Sequence, residues 1–291
     1  MSAIRTVGVV GTGVIGASWT GLFLANGLRV VVSDPASGSE KKLNKYLENI
    51  WPDLEKIGLK SGASLDKYQF VGTSLKDHYS KVDFIQENAP EKIEIKTSLL
   101  AEIDAATRPD INPHRTSLQS PHLMPLVEIV PNPKTEKSSV ETAVQFYKSL
   151  NKRPVVLHQE VPGFAANRLQ AALCSEAYSL VSRGIISAED LDACVTNSLG
   201  PRWALTGPLL ANAMGGGGGT DGFRHLLEHL GPATEVWLKD MQENAFEFNK
   251  ESLDALSTSV GEELKGKDVQ FLEVERDRLL VEILKLKSEY K

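Results

Sequence analysis

Thr6-Val7-Gly8-Val9-Val10-Gly11-Thr12-Gly13-Val14-Ile15-Gly16 decides the fold. A run of buried-strand character passes straight into G-x-G-x-x-G. Ala17 to Asn26 then reads as a helix that Gly27 ends, and Leu28 to Val32 as a second strand closed by Ser33-Asp34-Pro35. Strand, glycine turn, helix, strand and acid together form the context in which this fingerprint holds a dinucleotide. Gly11 permits the tight turn, Gly13 lets backbone approach a pyrophosphate, and Gly16 lets the helix pack close to the strand. The helix N-terminus offers unpaired N–H groups and a partial positive charge to the phosphates. Asp34 ends the second strand 23 positions after Gly11. A carboxylate there accepts hydrogen bonds from the adenosine ribose and repels a 2′-phosphate, which favours NAD over NADP. FAD proteins share the fingerprint, and the motif alone does not separate them.

Composition narrows the class. The 291 residues suit one large domain or two medium ones, and 41% hydrophobic content is ample for a core. The formal charge of −6, with no long basic run, argues against nucleic acid and anionic membrane as partners. Cys174 and Cys194 both fall inside helical patterns, which reads as two packed, reduced thiols in a cytoplasmic protein. The two cysteines show no metal-ligand spacing. No signal peptide and no apolar run of the ~20 residues that a membrane span needs is visible.

Downstream, Ser39 to Ile57 is a charged helix with Leu43, Leu47, Ile50 and Leu54 at helical spacing. Gln69 to Gly72 reads as a short strand, Val82 to Glu87 as a clearer one ending in Asn88-Ala89-Pro90, and Glu91 to Ala106 as a helix. This alternation predicts a parallel sheet covered on both faces. It breaks after Ala106. Between Arg108 and His122 stand three prolines, Pro109, Pro113 and Pro121, with Ile111 and Leu118 the only large aliphatics, so no central strand is expected. Leu123 to Val130 reads as a strand, Lys134 to Leu150 as a helix and Arg153 to Leu157 as a strand. From Pro162 the pattern is helical. Gly163 to Gly184 forms a long helix, Ser187 caps the next, and Val269 to Ser288 is a final amphipathic helix. Gly215 to Gly219 reads as a flexible surface loop. The fold class is therefore α/β, a Rossmann-type parallel sheet that has lost one or more strands, with a second, all-α C-terminal domain. The domains are expected at 1–158 and 159–291.

Gly11 to Gly16, Asp34, Gln86 to Pro90, Leu126 to Val130 and Pro162 to Leu169 together resemble the L-3-hydroxyacyl-CoA dehydrogenase family. Pro125 to Pro131, Gly163 to Gln170, Arg183 to Asp192 and Gly200 to Ala204 are most similar to its short-acid branch. That branch includes lambda-crystallin (L-gulonate 3-dehydrogenase) and carnitine dehydrogenase. The resemblance covers nearly all of the chain except 107–120. It implies NAD-dependent oxidation of a short 3-hydroxy acid or acyl-CoA, or the reverse, and a homodimer through the C-terminal helices. In the family a histidine takes the hydroxyl proton, a glutamate orients it, and an asparagine helps to hold substrate. The glutamate maps onto Glu128 and the asparagine onto Asn167, while the family's cofactor contacts add Val14, Ile15, Glu91 and Lys96. Such a base needs a pKa near working pH and hydrogen-bond reach to the hydroxyl.

The histidine is expected twelve positions before the glutamate, and there the chain has Thr116. A family stretch supplying a sheet strand, a helix and the base-bearing strand is missing between Ile111 and Pro121. His114 and His122, the nearest histidines, read as solvent-facing loop residues. Two accounts stand: the gap belongs to the gene model, or the chain exists as written and its chemistry is crippled. The competing function is a non-catalytic NAD-binding or structural protein of the crystallin kind. Arg202 is a candidate partner for a substrate carboxylate, against the alternative of a surface ion pair.

Overall fold

The computed structural model describes residues 4–89, 98–99, 102–103, 113–115, 121–132, 135–217 and 219–289, with backbone alone at 113–115 and 219–220. The chain forms two compact units, Met1–Phe164 and Ala165–Lys291.

In the first unit, β1 (Thr6–Val10), β2 (Arg29–Ser33), β3 (Tyr68–Phe70), β4 (Phe84–Glu87) and β5 (Pro113–Arg115) form one parallel sheet in the order β3-β2-β1-β4-β5. β1 pairs with both β2 and β4, so the order reverses there, the kind of point beyond whose carboxyl strand ends open α/β sheets bind ligands. β6 (Leu126–Ile129) and β7 (Arg153–Val156) pair in parallel as a separate two-stranded sheet. The parallel ladder is thus in two pieces, with the break in the proline-rich stretch.

Strand alternation sorts the core. Val7, Val9, Val30, Val32 and Phe84 face one cluster, completed by Trp19 and Phe23 of α1 (Val14–Ala25), Leu43 and Leu47 of α2 (Ser39–Ile57), and Phe146 and Tyr147 of α3 (Lys137–Ser149). Val10, Val31 and Ile85 face a second cluster with Leu75, Tyr79 and Ile103. Ring centroids of Phe84 and Phe146 lie 4.4 Å apart, and those of Trp19 and Tyr147 5.5 Å, so the larger cluster is an aromatic one. Every residue of α1 from Gly16 to Ala25 is buried, which its nearly unbroken apolar sequence allows.

The second unit is helical throughout: α4 (Ala166–Ser182), α5 (Ala188–Cys194), α6 (Gly200–Gly215), α7 (Gly219–Glu243), α8 (Lys250–Leu264) and α9 (Val269–Glu289). Ser187 caps α5, its hydroxyl accepting from Asp190 N–H at 3.1 Å.

Several local expectations are corrected. The expectation of no central strand in the proline-rich stretch holds among the described residues, but three of them make a short edge strand: β5 pairs with β4 alone and opens on Pro113, the strand position where a missing N–H costs least. β6 begins at Leu126 rather than Leu123, because residues 121–123 turn and Pro125 has no N–H for a ladder. α4 begins at Ala166 rather than Gly163, since Gly163 (φ 78°) and Phe164 (φ 52°) are left-handed. The glycine run is a short turn: Gly215 ends α6, Gly216 and Gly217 turn, and Gly219 opens α7. Both cysteines are free, but Cys194 is exposed rather than packed. The helix expected over Glu91 to Ala106 lies largely outside the described residues.

Candidate dinucleotide and catalytic site

The glycine turn is built so that two glycines are compressed and one is open. Gly11 has φ +88°, and a Cβ on it would lie 2.9 Å from the Asn88 carbonyl oxygen beyond β4. A Cβ on Gly16 would lie 1.9 Å from the Gly11 carbonyl oxygen, so the helix cannot approach the turn with any larger residue there. A Cβ on Gly13 would meet nothing within 4 Å. The middle glycine therefore faces space into which a pyrophosphate can come against bare backbone. No side chain caps the first turn of α1 and no acid stands in it, which leaves its N–H groups to an anion. Val14 is 64% exposed at the helix start, and Ile15 packs partly against the core.

Asp34 clasps this turn. Its Oδ2 accepts from Thr12 N–H at 2.6 Å and from the Thr12 hydroxyl at 2.8 Å, and its Oδ1 accepts from Ala36 N–H at 2.8 Å. Burial pushes the carboxyl up, but the Thr12 and Ala36 bonds, with the charge of Lys42, outweigh it and hold it below the ordinary 3.8. The group is ionised throughout the neutral range, as an acceptor for ribose hydroxyls must be.

Asn88 supports the other side. Its N–H donates to Val10 O at 2.8 Å, its amide donates to Gln86 O at 3.2 Å, and Gln86 Nε2 donates back to its Oδ1 at 3.2 Å. Tyr147 donates to Gln86 Oε1 at 2.9 Å, which ties this corner to α3. Sequence reading placed Asn88 at a strand end and gave it no role. A polar Gln86-Glu87-Asn88 run following two apolar residues of a buried strand was the available signal.

Glu128 is fully buried in β6. Its neighbours Val127 and Ile129 face the aromatic cluster, so alternation turns Glu128 to the opposite face. His122 is not a solvent-facing loop residue, and the reason is Ser18. The Ser18 hydroxyl lies 2.7 Å from His122 Nδ1 and accepts from His122 N–H at 2.8 Å, and the ring meets Tyr46 edge-on at 6.3 Å. That places His122 against α1 and α2, on the side that Val127 faces and Glu128 does not. The turn carrying His122 is pinned by Lys152, whose Nζ donates to Met124 O at 3.0 Å and to Pro121 O. Burial lowers the Lys152 pKa to about 8.

Asn167 is exposed in the first turn of α4 and belongs to the helical unit. Arg202, exposed on α6, donates from Nε to Ser198 O at 3.4 Å. Glu91 and Lys96 lie outside the described residues, as do Thr116 and the side chain of His114. The structure thus gathers Gly11, Gly13, Val14, Ile15, Gly16 and Asp34 at one crevice.

Comparison with known proteins gives this crevice its family. The family described as 3-hydroxyacyl-CoA dehydrogenase, NAD binding domain, matches residues 6–111 and 118–161. The one described as 3-hydroxyacyl-CoA dehydrogenase, C-terminal domain, matches residues 163–251. The chain belongs to the 3-hydroxyacyl-CoA dehydrogenase family. It is an NAD-dependent oxidoreductase of that family. A 3-hydroxyacyl-CoA dehydrogenase of Gibberella moniliformis is 44% identical over 309 residues, covering 98% of this chain and 95% of that one. An L-carnitine dehydrogenase of Streptomyces coelicolor is 38% identical, covering 97% and 94%. Among solved structures, the NAD+-dependent 5-formyl-3-hydroxy-2-methylpyridine 4-carboxylic acid 5-dehydrogenase superposes with a TM-score of 0.75 at 25% identity, covering 98% and 99%.

The alignment with the Gibberella protein, at 309 positions, is longer than the 291 residues here, so at least 18 positions of that relative have no counterpart in this chain. The NAD-binding match itself breaks between 111 and 118.

Proposed function

We propose that this chain binds NAD at the Gly11–Gly16 turn with Asp34 on the adenosine ribose, and that its substrate is a short 3-hydroxy acid or 3-hydroxyacyl-CoA. The observation that carries the cofactor half is the open face of Gly13 between two closed glycines, beside an ionised Asp34. The substrate class is supported by the relatives, which are named for 3-hydroxyacyl-CoA and for L-carnitine. NAD, when bound, supplies the hydride acceptor. In this reading Glu128 is the buried carboxylate that in the family orients the proton-accepting group, and Asn167 donates a hydrogen bond to substrate. Val14, Ile15, Glu91 and Lys96 complete the cofactor contacts.

The group that should take the hydroxyl proton is absent. Thr116 stands at its position, and a threonine hydroxyl is no base near neutral pH. His122 does not replace it, because it is held against α1 and α2, on the side of β6 that Glu128 does not face. Loss of a general base costs about 10²–10⁴-fold in rate. The chain as written is therefore an NAD binder of slight turnover. A second reading, a purely NAD-binding protein, is favoured by the same residue and by the unmatched 112–117.

Domains at 1–158 and 159–291, a homodimer through the C-terminal helices and a cytoplasmic location belong to this proposal. Exposed Leu209, Val236, Trp237, Phe248, Phe271 and Leu286 support the dimer. Among the described residues no helix is long and apolar enough to cross a membrane.

The test uses the purified full chain. NADH is titrated by fluorescence, and NAD reduction is followed with 3-hydroxybutyryl-CoA and with L-carnitine. Saturable NADH binding with slight turnover is expected, with turnover rising when the relatives' missing segment is restored. Failure to bind NADH overturns the whole reading. Ordinary turnover that survives Glu128→Gln overturns the assigned roles.

A further inference from the structure

We propose that His225 and His229 on α7 form a surface chelate for a first-row divalent transition-metal ion. Side chains four apart on a helix stand one turn above each other on the same face. Here the two ring centroids are 6.3 Å apart and the ring planes differ by 16°, so the imidazoles run side by side. Both residues are exposed. Neither ring nitrogen has a hydrogen-bond or ion-pair partner among the described residues, so no competing donor or acceptor must be displaced. The nearest cation on the same stretch, Arg224, is held by Glu228 through Nε at 2.7 Å, which neutralises its repulsion of an incoming ion.

Two imidazoles at this spacing on a helix are the pair that H-E-x-x-H motifs use to hold zinc. An imidazole nitrogen binds Zn2+ at ~2.0–2.1 Å, and rotation of the exposed side chains brings both nitrogens onto one ion without moving the backbone. No group of three His, Cys, Asp or Glu able to hold a metal ion occurs among the described residues. The protein therefore supplies two nitrogen ligands and leaves the other positions to water, making an open, exchangeable site rather than a structural one. Imidazole ligands select Cu2+, Ni2+ and Zn2+ over Mg2+ and Ca2+, which prefer oxygen. The site lies in the helical unit and owes nothing to the dehydrogenase reading.

The experiment uses the untagged full chain, stripped with a chelator and titrated calorimetrically with NiCl2, ZnCl2 and MgCl2. Saturable Ni2+ and Zn2+ binding with one ion per chain is expected, and none for Mg2+. His225→Gln and His229→Gln each remove the chelate gain, weakening Ni2+ binding on the order of 10²-fold. His158→Gln serves as the control and leaves affinity unchanged. Both helix positions are solvent-facing, so the variants keep the fold, which far-UV circular dichroism checks. The proposal is overturned by absence of Ni2+ binding, by unchanged affinity in either helix variant, or by an equal loss in His158→Gln.

Discussion

Phe146 in the first unit is 6% exposed, and Leu209 in the second is 72% exposed. The contrast runs through both units. Met1–Phe164 closes a core around Trp19, Phe23, Phe84, Phe146 and Tyr147, whereas among the described residues of Ala165–Lys291 only Val181 and Val281 are buried large aliphatics. Helices of this length draw most of their stability from burying an apolar face, and monomers rarely expose apolar patches beyond a few hundred Å2. The first unit is stabilised from within. The second leaves many large apolar side chains exposed among its described residues.

The largest expected effect lies at the glycine turn. Gly16→Val drives a branched side chain into the Gly11 carbonyl, where even a Cβ would sit at 1.9 Å, and is expected to abolish NADH binding by fluorescence titration. Retained binding would show that the first unit is not rigid there. Next, Phe146→Ala should cost about 3–5 kcal/mol in urea unfolding, because the aromatic cluster cannot collapse onto the cavity. A cost under ~1 kcal/mol would break the contrast from the core side. Asp34→Asn removes a charged acceptor and should weaken NADH roughly ten- to a hundredfold. Because its folded pKa is depressed, the stability Asp34 contributes is present above about pH 3.8 and lost as pH falls through the folded value. Acid unfolding of Asp34→Asn should lack that component.

Leu209→Ser should change monomer unfolding by under ~0.5 kcal/mol while shifting sedimentation towards a lighter species. A large loss of monomer stability would mean that the helical unit has its own core after all. The pH dependence at Lys152 sharpens the core side of the contrast. Its folded pKa of about 8 lies below the ordinary 10.5, so the cost of its buried charge is full below pH 8 and fades as pH rises to 10.5. Wild-type stability should increase over that window relative to Lys152→Met, and parallel pH profiles would refute it.

What was legible in the sequence was local. Thr6–Val10, Ser39–Ile57 and Val269–Glu289 follow from hydrophobic period alone, and the glycine turn from residues adjacent in the chain. His122 was misread because Ser18, the group that buries it, is 104 positions away, and proline-rich surroundings imitate a surface loop. Lys152 sits between Asn151 and Arg153, a polar run with no sign that its ammonium would be drawn onto Pro121 O and Met124 O. β5 escaped detection because three residues carry no measurable period. Glu128 was placed correctly on a strand, but its burial depends on elements far along the chain.

The Thr12–Asp34 clasp limits how cofactor preference can be redesigned. Both carboxylate oxygens are already engaged by the backbone, so the side chain cannot swing aside for a phosphorylated ribose. An asparagine there keeps one acceptor oxygen for two backbone N–H groups, so either Thr12 or Ala36 loses its bond and the turn that cradles the diphosphate loosens. A switch to NADP therefore has to replace the clasp as a unit, with a new acceptor for Thr12 as well as a cation for the added phosphate.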